Sequence, residues 1–272
     1  MIMLHSLNVL DQIGSSTSSA MHQAFTLTWG IEMLHSYDLL EDIKHREHIG
    51  NKSNTDTDYA NLLRSFLYAM LEDNCSNNFV QLFNKGFLFI SLGKYIANDI
   101  SSKGKIEKYS NFNMNTYELL CEYKTAFNTY KLPLIIASQL SRQSKIHNHI
   151  DKIGTDLGKL YQIKNEYEDC FGGESKTYRS AGVNIQQGKC TWLAVTALQR
   201  CTAAQRIVFN TCYGSNEPAH VERIKSLYER LNIPQLYRET EGALNESIMQ
   251  RAETAGVPLE LFSSLLETLN VE

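Results

Sequence analysis

Four oxygen-bearing side chains, Gln162, Asn165, Glu166 and Asp169, fall within two turns of one predicted helix in this 272-residue chain. Residues three and four apart on a helix share a face, so these groups project in one direction. Hard cations such as Mg²⁺ take oxygen ligands, a few from the protein and the rest from substrate phosphates. Carboxylates and amides on such a face would therefore hold metal against a diphosphate and stabilise it as it departs. A solvated acidic helix face satisfies the same spacing, and the pattern alone leaves both readings open. Two basic side chains stand out beside it. Lys189 directly precedes the apolar Cys190-Thr191-Trp192-Leu193, and Lys124 is followed by Thr125-Ala126-Phe127. A lone Lys is most often a surface charge, so neither carries a function by itself.

The elements that must position these groups are helices. Apolar periodicity and capping residues predict helices over 6–13, 20–46, 58–72, 77–100, 115–140, 148–171, 189–211, 217–231, 238–254 and 258–270. In the second of these, Phe25, Trp29, Met33, Leu34 and Tyr37 form the expected buried stripe. Only four Pro interrupt the chain, and Pro218 and Pro258 are placed to open helices, the latter just after Gly256 closes the one before. No strand alternation, internal repeat or linker is present. The expectation is an all-α protein whose helices surround one shared core as a single domain over 1–272.

Composition narrows the function. A formal net charge of −4 argues against a nucleic-acid partner. The six Cys, none in a CxxC pair, read as buried reduced thiols rather than a zinc site. There is no apolar run of membrane-spanning length and no basic-then-apolar leader, so a cytoplasmic location with no membrane span is expected.

Local sequence then carries a resemblance. Gln162-Ile163-Lys164, Asn165-Glu166-Tyr167-Glu168-Asp169 and Cys170-Phe171-Gly172 resemble the second aspartate-rich motif of the farnesyl diphosphate synthase (trans-isoprenyl diphosphate synthase) family and its flanks. Lys189 with Cys190-Thr191-Trp192-Leu193 is similar to that family's Lys-Cys-Ser-Trp-Leu, and Lys124-Thr125-Ala126-Phe127 to its Lys-Thr-Ser-Phe. Tyr130-Lys131-Leu132-Pro133 and Tyr213-Gly214-Ser215-Asn216-Glu217-Pro218 fit as well, so the resemblance spans residues from about 25 to 230 and is strongest after 120. The chain resembles a divergent, insect-like member with degenerate motifs.

The resemblance implies an isoprenoid (terpenoid) synthase helical bundle, a homodimer, and Mg²⁺-dependent chemistry on an allylic prenyl diphosphate. It places the diphosphate on Lys124, Thr125, Gln162, Lys189 and Arg179, with Lys124 and Lys189 acting on the leaving group. It places metal on Asn165, Glu166 and Asp169, and on Glu41, Asp42 and His45, where the first motif falls once one residue is deleted, the register that keeps Trp29 and Glu32 aligned; another register places that motif on Tyr37-Asp38-Leu39-Leu40-Glu41. The departures from the family pattern are equally specific. Two Asp of the second motif have become Asn165 and Glu166. The first motif has become Glu41-Asp42-Ile43-Lys44-His45, without recognisable paired arginines after it. His35 replaces a Gln, Asp38 replaces a bulky residue, and the start Met1 to His5 lacks the basic segment that binds isopentenyl diphosphate, as if the domain were N-terminally shortened. These losses favour an enzyme that ionises one prenyl diphosphate, a derived terpene synthase, with Phe127 and Tyr130 offering aromatic faces to a carbocation. The alternatives are a short-chain prenyltransferase and a catalytically dead paralogue that binds a partner or a prenyl ligand.

Overall fold

In a computed structural model, residues 2–11, 18–47, 58–141, 147–172 and 182–271 are described, and every regular element among them is helical. In chain order these are α1 (Ile2–Asp11), α2 (Ser18–Glu47), α3 (Tyr59–Asn74), α4 (Asn77–Ser102), α5 (Lys105–Ser110), α6 (Met114–Cys121), a π-helical segment (Glu122–Lys131), α7 (Leu132–Leu140), α8 (His147–Phe171), α9 (Val183–Gln186), α10 (Trp192–Arg200), α11 (Ala203–Cys212), α12 (Pro218–Arg230), α13 (Ile233–Thr254) and α14 (Leu259–Val271). The chain divides into two compact units built from discontinuous stretches. The first is Met1–Ser91, Ala126–Thr155 and Met249–Glu272; the second is Leu92–Thr125 and Asp156–Ile248.

In the first unit α2 packs on α3 and α7, and α1 packs on α7 and α14. The stripe that α2 buries is Ala24, Leu27, Ile31, Leu34 and Tyr37, shifted around the helix from the expected one. Phe25 and Trp29 are 52% and 68% exposed, so their assignment to the core is corrected. The helix turned because Gly30 is its contact point. A Cβ there would lie 2.8 Å from the Phe83 ring and 3.6 Å from Leu71, so the missing side chain lets α2 approach α4 and α3 closely. In α7, Leu132 through Ser138 are buried without interruption, the pattern of a helix enclosed on all sides. Beside it the buried Lys131 ammonium is paired at 3.1 Å with Asp151, its stem running over Gly154.

The second unit is centred on aromatic packing. Tyr109, Phe112, Phe209 and Tyr213 meet mostly edge to face, and Tyr167 stacks on Tyr237 at 3.9 Å between centroids. The region expected as one helix over 189–211 is two. It breaks at Cys201 and restarts at Thr202, whose hydroxyl accepts from the Gln205 N–H while the Gln205 side chain accepts from the Thr202 N–H. That reciprocal capping box satisfies two amides at the start of α11 and favours a break over continuation. α13 begins already at Ile233, with Pro234 tolerated in its first turn. Helix 115–140 is continuous but changes type: its middle, Glu122–Lys131, is π-helical. The wider turn leads into Pro133, whose missing N–H and ring are incompatible with an α-helical bond to the carbonyl four residues earlier.

Thr202→Ala removes half of the capping box. The expected cost is about 1 kcal/mol, read as a fall of a few degrees in the thermal unfolding midpoint with native helicity retained below it.

Candidate active site

The second unit gathers the C-terminal half of α8, the end of the first stretch at Lys124-Thr125, and the loop that carries Lys189. On α8, Asn165 is exposed, Gln162 and Asp169 are half-buried, and Glu166 is only 5% exposed. The Glu166 carboxylate is turned into the protein. Its Oε1 accepts from Gln162 Nε2 at 2.8 Å, and its Oε2 accepts from the backbone N–H of Trp192 at 2.8 Å. Gln162 in turn accepts from the Thr125 hydroxyl at 2.9 Å through its own Oε1. Thr125, Gln162 and Glu166, all singled out in the sequence, are thus one hydrogen-bonded chain ending on the first amide of α10. Thr191 caps the same helix by accepting from the Ala194 N–H, so two orphan amides of α10 are satisfied. Asp169 behaves similarly. Its Oδ2 accepts from the Asn184 N–H at 2.9 Å and its carbonyl from the Gly182 N–H at 2.6 Å, which anchors α9 to α8.

Burial raises the Glu166 carboxyl to about 7, because the anion has lost its water. The Gln162 amide, the Trp192 N–H, the nearby Tyr117 hydroxyl and the Lys189 charge all pull in the opposite direction and keep the group from rising further. The positive end of the α10 dipole lies at the same point and favours the anion as well.

Lys124 and Lys189 are exposed at their side chains and held at their stems. Gly93 on α4 lies against Lys124, where a Cβ would come within 2.7 Å of the Lys124 Cγ. Lys189 is fixed through its backbone. Gly188 before it adopts φ +58° and packs on Gly214, itself at φ +74°, where an added Cβ on Gly188 would be 3.1 Å from the Gly214 Cα. The Lys189 N–H donates to the Asn184 carbonyl at 3.1 Å, and its own carbonyl accepts from the Tyr213 hydroxyl at 2.7 Å. Tyr109 donates to the Tyr213 carbonyl at 2.6 Å. Gly93, Gly188 and Tyr213 are the positioning residues that sequence reasoning passed over. The Tyr213-Gly214 pair was visible as a motif, yet nothing in it told that its hydroxyl reaches Lys189.

In the first unit, Asp38, Glu41 and Asp42 are half-buried at positions i, i+3 and i+4 near the end of α2, one face of that helix. Hard, partly hydrated carboxylates of this kind fit Mg²⁺. His45 belongs to the same helix, but its side chain lies outside the described residues, and so does Arg179. In the second unit Asn165 and Asp169 offer oxygen on the outer side of α8. Glu166 does not fit a metal ligand: both oxygens already accept hydrogen bonds inside the protein, in surroundings that disfavour its anion. Among the described residues no cluster of three or more His, Cys, Asp or Glu side chains is assembled as a metal site. Phe127, expected to face a carbocation, is 1% exposed and packs edge-on against Phe89, and the Lys85 ammonium lies 4.9 Å from its centroid. Tyr130 is buried too. All six cysteines are free thiols, and among the described residues no helix is long and apolar enough to cross a membrane.

Such a helical fold, with the Lys124-Thr125 segment and the start of α10 both hydrogen-bonded to the acid- and amide-bearing α8, is that of an isoprenoid synthase. The fold of Trypanosoma brucei farnesyl pyrophosphate synthase superposes with a TM-score of 0.83 at 24% identity, covering 98% of this chain and 82% of that one. The chain belongs to the polyprenyl synthetase family, whose model matches residues 45–231. Among its relatives, farnesyl pyrophosphate synthase of Murgantia histrionica is 28% identical over 98% of this chain and 69% of its own length. That of Bos taurus is 28% identical over 92% and 75%. The chain is thus an isoprenoid-biosynthesis protein of the farnesyl diphosphate synthase family.

Glu166 sets a pH dependence with a definite sign. Its carboxyl is raised in the folded state from 4.5 to about 7, so the folded protein binds the extra proton and stability falls as pH rises through that window. Glu166→Gln lacks this titration. Its unfolding midpoint should therefore gain on the wild type between pH 4.5 and 7, by an amount corresponding to roughly 1–3 kcal/mol. Glu166→Ala lacks the titration too and also strands the Trp192 N–H and the Gln162 amide, so it should lose roughly 3 kcal/mol at pH 4.5 and progressively less as pH rises toward 7. Parallel melts across pH check both.

Proposed function

We propose that this protein is an enzyme that binds one allylic prenyl diphosphate with Mg²⁺ and breaks its carbon–oxygen bond, acting as a derived terpene synthase. The observation that carries the reading is the pair of exposed lysines in the second unit, each with its stem or backbone fixed while its ammonium reaches solvent. Charge-assisted bonds from Lys124 and Lys189 to the diphosphate oxygens would grow stronger as the leaving group takes the electron pair of the breaking bond. Holding the lysine backbone rigid before the substrate arrives lowers the ordering cost of that contact. Thr125 and Gln162 complete the polar wall. Gln162 keeps one amide hydrogen for a phosphate oxygen, and Thr125 would turn its single hydroxyl hydrogen away from Gln162 to donate to another. Arg179 is proposed as a further diphosphate contact.

Glu41, Asp42 and His45 in the first unit, and Asn165 and Asp169 in the second, are each proposed as metal ligands. The chemistry that Mg²⁺ supplies when bound is neutralisation of charge on the diphosphate. Glu166 is assigned to positioning: it orients Gln162 and holds the start of α10, and with it the Lys189 loop. The whole chain is taken to work as one domain in the cytosol, where its free cysteines stay reduced.

The family's named relatives support a second reading, short-chain prenyl transfer. The two part on one requirement, isopentenyl diphosphate. Incubation with geranyl, farnesyl or geranylgeranyl diphosphate and Mg²⁺, with and without isopentenyl diphosphate, separates them through pyrophosphate and product analysis. The proposal expects pyrophosphate with hydrocarbon or alcohol from a single diphosphate. Longer diphosphates formed only with isopentenyl diphosphate would assign chain elongation, and a folded protein that releases none would be a binding paralogue.

Lys124→Ala and Lys189→Ala should each lower kcat/KM for pyrophosphate release about 10- to 100-fold, the worth of one charge-assisted contact. Both side chains are exposed, so the melting curve should be unchanged. A homodimer is also proposed. Met21, Phe25 and Trp29 lie exposed at four-residue spacing along one face of α2, an apolar stripe that a second copy would cover. Light scattering should give twice the chain mass for the wild type and the single-chain mass for Trp29→Glu.

A further inference from the structure

α11 and α12 pack on one another inside the second unit and leave a cavity of about 420 Å³ between them. A site for one small molecule is typically about 300–1,000 Å³. Gln205 and Val208 line the cavity from α11. Arg223, Ser226, Leu227 and Arg230 line it from α12, at positions i, i+3, i+4 and i+7 of one helix face, with Glu222 one residue off that face. The floor is apolar: Leu227 is buried, and Val208 is 39% exposed. None of the residues placed on the diphosphate belongs to this lining.

The polar groups around that floor are almost all donors. A guanidinium carries five N–H groups and accepts nothing. Arg223 and Arg230 are exposed, and among the described residues neither guanidinium has an ion pair or a hydrogen-bond partner. Gln205 is oriented by the capping box. Its Oε1 accepts from the Thr202 N–H and hydroxyl, so the donating end, Nε2, is what remains for a ligand. Ser226 adds a hydroxyl. Glu222 is the one anionic group of the lining, and it is 71% exposed and paired with Lys225 at 3.5 Å. Arg230 stands in the last turn of α12, where a cation already suits the helix dipole. Arg223 is in the middle of that helix, where no such effect accounts for it.

These groups select their ligand. Inorganic phosphate would satisfy the arginines and leave Val208 and Leu227 in water. A hydrocarbon would cover those two and leave the donors unmet. A cation would be repelled. An anion on an apolar body meets both demands: its carboxylate or phosphate oxygens accept from a planar guanidinium while the body covers Val208 and Leu227. A helix rises about 1.5 Å per residue, so the backbones of Arg223 and Arg230 are about 10 Å apart and their long side chains can reach one head group from both sides. We infer that the α11–α12 cavity is a binding site for a small amphipathic anion, an apolar carboxylic acid or phosphate ester free in solution. The site stands whether or not the protein breaks a prenyl diphosphate, because no residue of that reading takes part in it.

Calorimetric titration of the full chain with octanoate, octyl phosphate, 1-octanol, octylammonium and inorganic phosphate tests this. Octanoate or octyl phosphate should bind at least about tenfold more tightly than 1-octanol and than inorganic phosphate, with octylammonium weakest. The preference between the two anions assigns the head group as carboxylate or phosphate. Arg223→Gln and Arg230→Gln should each weaken the anion about tenfold, the worth of one charge-assisted contact, and leave 1-octanol within about threefold. Val208→Glu, which keeps both arginines and sets a carboxylate beside them, should weaken the anion at least as much. Lys189→Ala should leave its affinity unchanged. Methyl NMR of the wild type gives the location without any variant: the Val208 and Leu227 signals should shift as the anion is added. An anion that binds no more tightly than 1-octanol overturns the inference. So does anion binding that is lost in Lys189→Ala and kept in the arginine variants, or that leaves the Val208 and Leu227 methyl signals unmoved.

Discussion

One buried carboxylate organises the second unit. Glu166 leaves water, which by itself is unfavourable, and it stays there because an amide, a backbone N–H and the start of a helix meet it. Once Glu166 points inward, the rest of α8 has no freedom. Successive helical residues turn by about 100°, so Asn165 must face outward and Asp169, three residues on, must sit at the boundary between the two. There its carboxylate finds the Asn184 N–H and ties down α9. The arrangement of the whole acidic segment therefore follows from the anchoring of a single side chain.

The same anchor reaches the lysine loop. Glu166 fixes the first amide of α10, Thr191 fixes its third, and Lys189 lies directly upstream. The loop is further determined by two glycines in the left-handed region that touch one another and by the Tyr213 hydroxyl on the Lys189 carbonyl. With its backbone held at several points and the residue exposed, Lys189 is ordered where order is inexpensive and accessible where a ligand would arrive. Lys124 reaches a comparable state by a different device, its stem laid over a glycine.

Much of this was legible in the residue order. Periodicity and caps gave α2, α3, α4, α8 and α12 nearly to their ends, and Pro218 opened α12 as its missing N–H requires. The motif around Lys189 and the spacing of Gln162, Glu166 and Asp169 identified the right elements. What periodicity does not carry is the direction of a face. It told that Gln162 and Glu166 share one, and not that this face is turned inward, because the N–H that accepts Glu166 belongs to a residue 26 positions away. The same limit misplaced Phe25 and Trp29. Large apolar side chains were taken for the core, whereas the close approach at Gly30 decided which side of α2 is buried. The split of 189–211 was lost for another reason: Thr202 and Gln205 are ordinary helix-interior residues until the chain breaks before them and they cap each other.

The two changed positions of the second acidic motif are unequal in physical consequence. Asn165, exposed, has lost the charge that a cation would meet. Glu166, buried, has kept an acid and gained a methylene. From α8 the longer side chain spans to Trp192 N–H at 2.8 Å while still meeting Gln162. An Asp at that position would fall short by roughly one carbon–carbon bond, about 1.5 Å, and would leave a buried amide without its acceptor. The inward position is therefore constrained by the architecture of α10 whether or not metal binds, and the outward one is constrained only by a ligand. An altered outward residue beside an inward one held by its own hydrogen bonds is how a scaffold can stay intact while the chemistry on its surface changes. It also explains how a chain with so worn an acidic motif still builds the helical frame of its family.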